Sequence, residues 1–357
     1  MFFLTPKDIS VGLDIGSHSI KLIKIKRGKK IKIINSGNIL LPGDLIRGSF
    51  VNGNIRDKKV FTEKIKELFL KTGVYDKEIA IGMPDTCGRS VFLELENVPA
   101  EREDAKELII WKLKKEADLN LDKNFAVDYQ VLEKETKDKK EFNKLFAVLV
   151  NKNILAEYEE SLRQSGLKPV SVVLSSFGLV NFFNFVEKGG GSYLIINFGH
   201  QVTTLLIIKN RKLDFFRPVD TGGRDFTTRI KDHFSISWED AESKKMKDVF
   251  FPGDIDVSKL IEMGLLDNFS SIKPAQGNLA REISASLQYY KNKAGGGAVE
   301  KIFLAGGSAE FKNINIFFKN IFNLDTFKIN QTDEINFVQS KEPGCMSNYA
   351  SATGLLI

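Results

Sequence analysis

The sequence contains few residues that bind metals or form disulfides. Cys87 and Cys345 are its only cysteines, and they lie in unrelated contexts without metal-ligand spacing. This scarcity predicts a reducing compartment. Of the three histidines, His18 and His200 lie in glycine-containing turns. Neither has a cysteine or an acidic ligand at suitable spacing, so we expect no metal site built on histidine.

Long apolar runs are also absent. No segment approaches the roughly 18 apolar residues that a membrane-spanning helix needs. The start, Met1 to Pro6, is too short for the apolar region of a signal sequence and has no basic region before it. We therefore expect a cytoplasmic protein that reaches a membrane only through a partner.

The small excess of basic residues is mostly spread along the chain. The net charge of +6 results from 52 basic and 46 acidic residues, whereas nucleic-acid binding requires a concentrated basic face. Nucleic acid is therefore not an expected partner. The lysines between Lys24 and Lys32 are interpreted as protection of a free strand edge.

The chain carries two similar glycine turns, one in each half. Val11 to Leu22 and Leu194 to Ile207 each run from apolar strand formers into a polar residue, a glycine, hydrogen-bonding residues and a second apolar strand. Such a hairpin places backbone N–H groups and hydroxyls at a tight turn that suits phosphate. The repeat predicts a duplicated fold with a phosphate held between two lobes, and 357 residues allow two domains.

Hydrophobic periodicity predicts the elements of both lobes. The first lobe has strands at 10–16, 19–27 and 31–41, a helix from Val60 to Thr72 and a strand from Glu78 to Met83. The second has a helix from Ser175 to Phe185, strands at 193–198, 202–208 and 213–217, and a helix at 225–234. A helical region at 237–294, broken at Phe251-Pro-Gly and Lys273-Pro, is followed by a strand and turn at Lys301 to Ser308, a helix at about 310–322 and a helix from Asn348 to Ile357.

A module of different character separates the lobes. We predict a strand at 90–96, a helix at 101–117, a strand at 126–134, a polar turn from Lys134 to Lys144, a strand at 145–150 and a helix at 152–165. This is an inserted α+β subdomain. Periodicity favours ordinary core packing for its apolar residues Val91, Leu93, Leu95, Ile109 and Trp111.

The first glycine turn has the groups that a magnesium nucleotide requires. Asp14, at the end of the first strand, is the candidate metal residue because a carboxylate can hold a hydrated Mg²⁺. Lys21 is a cationic partner for phosphate. The turn between them supplies further candidate ligands: Gly16, Ser17, His18 and Ser19.

The second lobe offers a matching set. Glu242 and Lys245 are three residues apart on a helix and share a face. Gly306, Gly307 and Ser308 follow a strand, where glycine allows close approach to a base or ribose. The second turn contributes Gly199, His200, Gln201 and Thr203.

His18 and His200 are interpreted as corresponding residues of the two turns. Either both imidazoles donate to one anion, or histidine merely tolerates the unusual dihedral angles of a turn.

These segments resemble the nucleotide-binding motifs of the actin, Hsp70 and FtsA superfamily, and within it the chain is similar to the PilM family of type IV pilus assembly proteins. Leu13-Asp-Ile-Gly-Ser resembles the first phosphate motif, Asn197-Phe-Gly-His-Gln-Val-Thr the second, and Leu304-Ala-Gly-Gly-Ser the adenosine motif. Gly222-Gly-Arg-Asp-Phe-Thr and Ala241 to Lys245 also match. The resemblance covers nearly the whole chain and adds Asn197, Gly222 and Gly223 to the candidate nucleotide ligands.

The resemblance implies an α/β fold of duplicated actin-like (ribonuclease H-like) lobes around a nucleotide cleft, with an inserted α+β subdomain of the 1C type. The implied first lobe is 1–87, continued by 168–176 and the C-terminal helix 343–357. The inserted subdomain is 88–167, and the second lobe is 177–342 with a 2B part at about 225–290.

Two departures from the family pattern bear on hydrolysis. The second phosphate motif usually reads Asp-x-Gly-x-Gly, but this chain has Asn197 and Gln201, so one carboxylate associated with Mg²⁺ is missing. Superfamily hydrolases orient the attacking water from the connection between lobes, yet Pro169 to Leu179 contains no acid, Gln or His, and serine is a poor general base. We therefore assign no catalytic residue and expect at most weak ATPase activity.

The resemblance implies a cytoplasmic scaffold of a type IV pilus or related secretion machine that binds ATP or ADP with Mg²⁺. Its implied partner is the N-terminal tail of a PilN-like inner-membrane protein, bound in a groove between subdomains 1A and 1C. Other pilus assembly proteins and further copies of the chain are additional candidate partners.

Two alternatives are kept. A sugar or acetate kinase of the same superfamily would need a second substrate site, which Asp14 alone does not supply. An FtsA-like, filament-forming division protein would carry a C-terminal amphipathic membrane helix, whereas we expect none after Leu355-Leu-Ile357.

Overall fold

The described residues alternate between strands and helices in a mixed α/β order. The structure is a computed structural model and describes residues 8–116, 124–137, 140–248, 251, 257–264, 266–293, 296–329, 335–337 and 346–357. Three features considered above lie outside these ranges: the start Met1 to Pro6, the break at Pro252-Gly253, and Cys345.

In chain order the strands are β1 (Val11–Ile15), β2 (Ser19–Lys26), β3 (Ile31–Leu40), β4 (Glu78–Met83), β5 (Gly88–Glu96), β6 (Phe125–Lys137), β7 (Lys140–Asn151), β8 (Lys168–Leu174), β9 (Ser192–Phe198), β10 (Thr203–Lys209), β11 (Lys212–Val219), β12 (Lys301–Ala305), β13 (Asp325–Lys328) and β14 (Ile335–Phe337). The helices are α1 (Lys58–Thr72), α2 (Arg102–Glu116), α3 (Lys152–Gln164), α4 (Ser175–Val186), α5 (Gly223–Phe234), α6 (Trp238–Lys247), α7 (Val257–Glu262), α8 (Leu266–Asn292), α9 (Ile314–Phe322) and α10 (Met346–Gly354). Among the described helices, none is long and apolar enough to cross a membrane.

The chain forms two compact units whose main sheets share one topology. Unit 1 comprises Met1–Phe185, Asp333–Pro343 and Ser351–Ile357, and unit 2 comprises Val186–Thr332 and Gly344–Ala350. The sheet orders are β14-β3-β2-β1-β4-β8 in unit 1 and β11-β10-β9-β12-β13 in unit 2. In both, three strands pair in antiparallel fashion and two later strands add in parallel beside the first strand. This repeated order confirms the predicted duplication of α/β lobes.

Helix α1 of unit 1 shows how local signals determine an element. Asp57 caps its start by accepting hydrogen bonds from the backbone N–H groups of Lys59 and Val60. Gly73 ends it at a φ of 65°, in the left-handed region that favours glycine. The helix buries one apolar face: Phe61, Ile65, Leu68 and Phe69.

An aromatic core in unit 2 holds α5 against β9. The ring of Phe226 on α5 lies 5.6 Å from that of Phe198 on β9 and 5.4 Å from that of Phe311, measured between centroids. Phe251 completes the group, 5.9 Å from Phe226. Because all four rings are buried, they fix the start of α5 beside the turn that follows β9.

The inserted module forms its own three-stranded sheet, in the order β5-β7-β6. Leu93, Leu95 and Ile109 lie in its core, as periodicity predicted, and Val91 packs at its margin. Trp111 is different, because 57% of it is exposed.

The predicted polar turn from Lys134 to Lys144 is wrong in extent. β6 continues to Lys137 and β7 starts at Lys140, so most of this segment is a paired hairpin. Cross-strand contacts such as the ion pair between Lys134 and Glu141, at 3.2 Å, support strands whose polar side chains face solvent.

Three further predictions need correction. α8 runs through Pro274 without a break, because the buried face that includes Ile272 and Leu279 outweighs the missing backbone donor. The helix expected at about 310–322 begins at Ile314, after a short 3-10 turn at Gly307–Glu310. The sequence also did not predict the short strands β13 and β14.

Candidate functional site

The first glycine turn connects β1 and β2 in unit 1. The Gly16 N–H donates to the Ser19 carbonyl oxygen at 3.1 Å and closes the turn. Asp14 pairs with Lys21 across the hairpin, and its Oδ2 lies 3.6 Å from Lys21 Nζ. The Asp14 side chain is 9% exposed, so its negative charge is held in a largely buried position beside a cation.

Two serines after β8 contact carboxylates at the carboxyl ends of neighbouring parallel strands. Ser175 Oγ donates to Asp14 Oδ1 at 2.6 Å. Ser176 donates to Asp85 through its N–H, at 3.0 Å, and through its Oγ. Asp85 lies two residues after the end of β4 and is buried. Since β1, β4 and β8 are parallel, their carboxyl ends meet at one edge of the sheet, where ligands bind in α/β folds.

Sequence reasoning missed Asp85, Ser175 and Ser176 as members of this group. The available signal was an acid or hydroxyl directly after a buried strand, and Asp85 follows Met83-Pro84 in that way.

The second turn, in unit 2, has the same closure as the first. The Gly199 N–H donates to the Val202 carbonyl oxygen at 3.1 Å, which repeats the bond from Gly16 to Ser19. Superposing the two turns on this bond makes Asn197 the counterpart of Asp14.

The shared closure corrects the proposed equivalence of the two histidines. His200 directly follows its glycine and is the counterpart of Ser17, whereas Gln201 is the counterpart of His18. The pairing of His18 with His200 was therefore wrong by one residue.

Three segments of unit 2 converge on the second turn. The Gly199 carbonyl oxygen accepts hydrogen bonds from the Gly223 N–H at 2.9 Å and from Ser308 Oγ at 3.2 Å. The His200 carbonyl oxygen accepts one from the Arg224 N–H at 2.7 Å. The structure thus brings together the turn after β9, the start of α5 and the turn after β12.

Glycine is required where these segments meet. A Cβ atom at Gly222 would lie 2.3 Å from the His200 carbonyl oxygen, and one at Gly223 would lie 2.3 Å from Ser308 Oγ. Gly306 has a φ of +88°, and a Cβ there would lie 2.5 Å from the Phe198 carbonyl oxygen. Gly307 follows at the start of the 3-10 turn.

Two groups that were predicted to bind the nucleotide instead form hydrogen bonds within the protein. Thr203 is buried, and its hydroxyl donates to the Thr221 carbonyl oxygen at 2.6 Å. At the start of α5, the Gly222 N–H donates to Asp225 Oδ2 at 2.7 Å, and the next two N–H groups bond to the second turn. These groups therefore stabilise the second turn through hydrogen bonds within the protein.

Glu242 and Lys245 form an ion pair next to the start of α5. Lys245 Nζ lies 2.7 Å from Glu242 Oε2 and donates to Thr227 Oγ1 at 2.7 Å and to the Gly223 carbonyl oxygen at 3.3 Å. Burial lowers the pKa of Lys245, and the Glu242 carboxylate opposes that shift. Both residues therefore lie beside the start of α5, where Lys245 contacts Gly223, as their helical spacing allowed.

The residues around Asp14 suit a hydrated magnesium ion. Within the described ranges, no three His, Cys, Asp or Glu side chains are grouped so that they could hold a metal ion. Mg²⁺ keeps several of its waters and needs only one or two carboxylates, and Asp14 supplies one at the strand edge.

In a comparison with protein families, the sequence matches the family described as type IV pilus assembly protein PilM over residues 12–356.

Solved structures agree on the fold. The chain is similar to one in a structure described as the PilM-PilN type IV pilus biogenesis complex, with 17% identity, 98% of each chain covered and a TM-score of 0.83. It is also similar to the ethanolamine utilization protein EutJ from Carboxydothermus hydrogenoformans, with 12% identity, coverage of 99% of this chain and 92% of that chain, and a TM-score of 0.56. At these identities the likeness shows the fold alone.

Proposed function

Since the chain belongs to the type IV pilus assembly protein PilM family, we propose that it is an actin-like scaffold of type IV pilus assembly that binds ATP or ADP with Mg²⁺. It hydrolyses ATP slowly or not at all. It binds the N-terminal tail of a PilN-like inner-membrane protein, which brings it from the cytoplasm to the membrane.

The observation that carries nucleotide binding is the convergence in unit 2. The turn at Gly199, the glycines before α5 and the turn at Gly306 lie in contact through backbone hydrogen bonds. Close backbone approach of this kind suits phosphate and ribose, because glycine has no side chain that would keep a ligand away from the backbone. Glu242, 19% exposed at its side chain, supplies an acceptor for ribose hydroxyls at the same place.

Asp14 is the magnesium-binding residue in this proposal. Its carboxylate accepts a hydrogen bond from Ser175 Oγ and lies close to Lys21, so its orientation is determined before any ligand binds. Magnesium supplies charge neutralisation of the phosphates when it is bound.

Weak hydrolysis follows from the residues after β8. A general base must accept a proton from the attacking water. Ser175 and Ser176 instead donate their hydroxyl protons to Asp14 and Asp85. Asp85 itself is buried, and both of its carboxylate oxygens already accept hydrogen bonds from Ser176.

The partner proposal rests on family membership and on the likeness to a structure described as a PilM-PilN complex. In this chain the inserted subdomain, with its own core, is the candidate to contribute one side of the peptide groove.

The test is a calorimetric titration of the full chain with Mg·ATP, with and without a synthetic peptide of the N-terminal tail of the PilN-like protein. We expect both ligands to bind and no phosphate to be released over the titration. A scrambled peptide of equal composition is the control.

Two results would contradict the proposal. Steady-state turnover on the order of 1 s⁻¹, in the ordinary enzyme range, would show a working hydrolase. Failure of Mg·ATP and Mg·ADP to bind would show that the second turn does not hold a nucleotide.

A further inference from the structure

The hairpin of β2 and β3 carries a concentrated positive charge. Residues 15–43 contain seven Lys and Arg residues and no Asp or Glu. This excess of seven exceeds the net charge of +6 of the whole chain. The other residues of the chain are therefore close to neutral together, and the basic character of the protein is located in this hairpin.

Three of the seven cations have partners inside unit 1. Lys21 lies beside Asp14, and Lys24 Nζ lies 2.5 Å from Asp76 Oδ2. Arg27 donates to the carbonyl oxygens of Ile9, at 2.7 Å, and Leu356. These contacts tie the hairpin to the rest of the unit.

The other four cations form an exposed group, called here the basic tip: Lys26, Lys29, Lys30 and Lys32. In the described part of the chain, none of them has an acidic partner within ion-pair distance. Lys26 and Lys32 lie directly opposite each other in the ladder. Like charges in that position destabilise a hairpin, and among the described residues no acidic side chain forms an ion pair that offsets this cost.

Protection of a free edge does not explain the basic tip. Our sequence interpretation assigned these lysines to an unpaired strand edge, but β3 is paired at Ile31, Lys32 and Ile33 with β14. A covered edge needs no protecting charge.

The basic tip is also separate from the candidate nucleotide site. It lies at the far end of β2 from the Gly16 turn, and the eight residues of β2 place the two turns about 25 Å apart at about 3.3 Å per residue. Phosphate binding at the first turn therefore does not account for it.

We propose that the basic tip binds the headgroups of an anionic phospholipid surface. Residues 15–43 contain no Phe, Tyr or Trp, so the tip lacks the aromatic platforms of single-stranded nucleic acid sites. Its long, exposed lysines lie in the turn between β2 and β3 and at the adjoining strand ends, which suits a diffuse planar charge better than a folded acidic partner.

The expected strength of this contact is modest. Each lysine near an anionic leaflet strengthens binding about five-fold, so four give a few hundred-fold, which is too weak to hold the chain on a membrane alone. The tip therefore adds to recruitment by a protein partner and orients unit 1 toward the bilayer.

The test is flotation of the full chain with vesicles of phosphatidylethanolamine containing about one-third phosphatidylglycerol, compared with vesicles of phosphatidylcholine. We expect binding to the anionic vesicles only, and its loss when salt rises from about 0.05 M to about 0.5 M. The variant with all four tip lysines changed to Gln is expected to bind at least about 100-fold more weakly.

A matched control removes the same charge elsewhere. Lys59, Lys212, Lys291 and Lys301 are exposed, and changing them to Gln also takes the net charge from +6 to +2 by the loss of four. We expect this variant to bind vesicles as the unchanged chain does, and both variants to keep the unfolding temperature of the unchanged chain within a few degrees.

Three outcomes would overturn the proposal. The unchanged chain could fail to float with anionic vesicles at low salt. Both variants could lose binding equally, which would show a general charge effect. Poly-glutamate could bind the tip while vesicles do not, which would assign it to an acidic protein instead.

Discussion

Lys245 is a buried ammonium whose protonation is linked to stability. Burial lowers its pKa from the ordinary value of 10.5, and the neighbouring Glu242 opposes this shift. The folded state therefore binds this proton less tightly than the unfolded state. By linkage, the free energy of unfolding rises with pH in the interval below 10.5, because the unfolded state holds more protons there.

The variant Glu242→Gln should enlarge that effect. Without the carboxylate, Lys245 is a buried charge with no counter-ion, and we expect a loss of about 3 kcal/mol of unfolding free energy near pH 7. The deficit should shrink toward about pH 10, because the variant loses the Lys245 proton at lower pH than the unchanged chain. Urea unfolding of the variant and of the unchanged chain, near pH 7 and at about pH 10, measures this deficit in unfolding free energy.

The double variant Glu242→Gln with Lys245→Met is the control for this prediction. It removes both charges, so it should recover part of the lost stability and show no extra pH dependence. A deficit of Glu242→Gln that is equal at both pH values would contradict the ion-pair explanation.

Two glycines inside helices have opposite surroundings, although helix propensity treats them alike. Gly178 of α4 lies so close to α10 that a Cβ atom would stand 2.4 Å from the Ser351 carbonyl oxygen. Gly277 of α8 has open space around the Cβ position. We expect Gly178→Ala to destabilise unit 1 by about 1–3 kcal/mol and Gly277→Ala to stabilise by about 0.5–1 kcal/mol.

Chemical unfolding of both variants, with hydrogen exchange followed across α10, checks this prediction. Faster exchange in α10 is expected only for Gly178→Ala, since only that substitution separates α10 from α4. If both substitutions stabilise the protein, propensity outweighs the close helix contact and the packing argument fails.

The elements that the sequence predicted well are those with local signals. Both hairpins and α1 are encoded by alternation, capping residues and glycine within a few positions, and the structure confirms them.

β14 has only three residues and is held by pairing with β3, so its own segment carries no periodic signal. Asp85 joins the candidate site through Ser176, 91 residues away, a contact that depends on strand order. Nucleotide binding by the named residues stays a prediction.

Ligand binding should be visible in the stability of the whole chain. A ligand that binds only the folded state stabilises it by about 2.7 kcal/mol at 100 times its Kd, which raises Tm by roughly 4 °C for a chain of 357 residues. We expect Mg·ATP to produce such a shift, and the shift to persist during hours of incubation because hydrolysis is slow or absent.

Gly306→Val is the variant that tests whether this shift comes from the second turn. At a φ of +88°, its Cβ atom would lie 2.5 Å from the Phe198 carbonyl oxygen, so the turn after β12 must move. Gly166→Val is the matched control, since Gly166 has a φ of +86° and nothing within 4 Å of its Cβ position. Strain of about 1–3 kcal/mol should lower Tm in both variants without ligand. Only Gly306→Val should lose the rise in Tm on addition of Mg·ATP. If Mg·ATP raises the Tm of Gly306→Val as much as that of the unchanged chain, the nucleotide binds elsewhere. If Gly166→Val also loses the rise in Tm, the loss is due to backbone strain and not to the binding site.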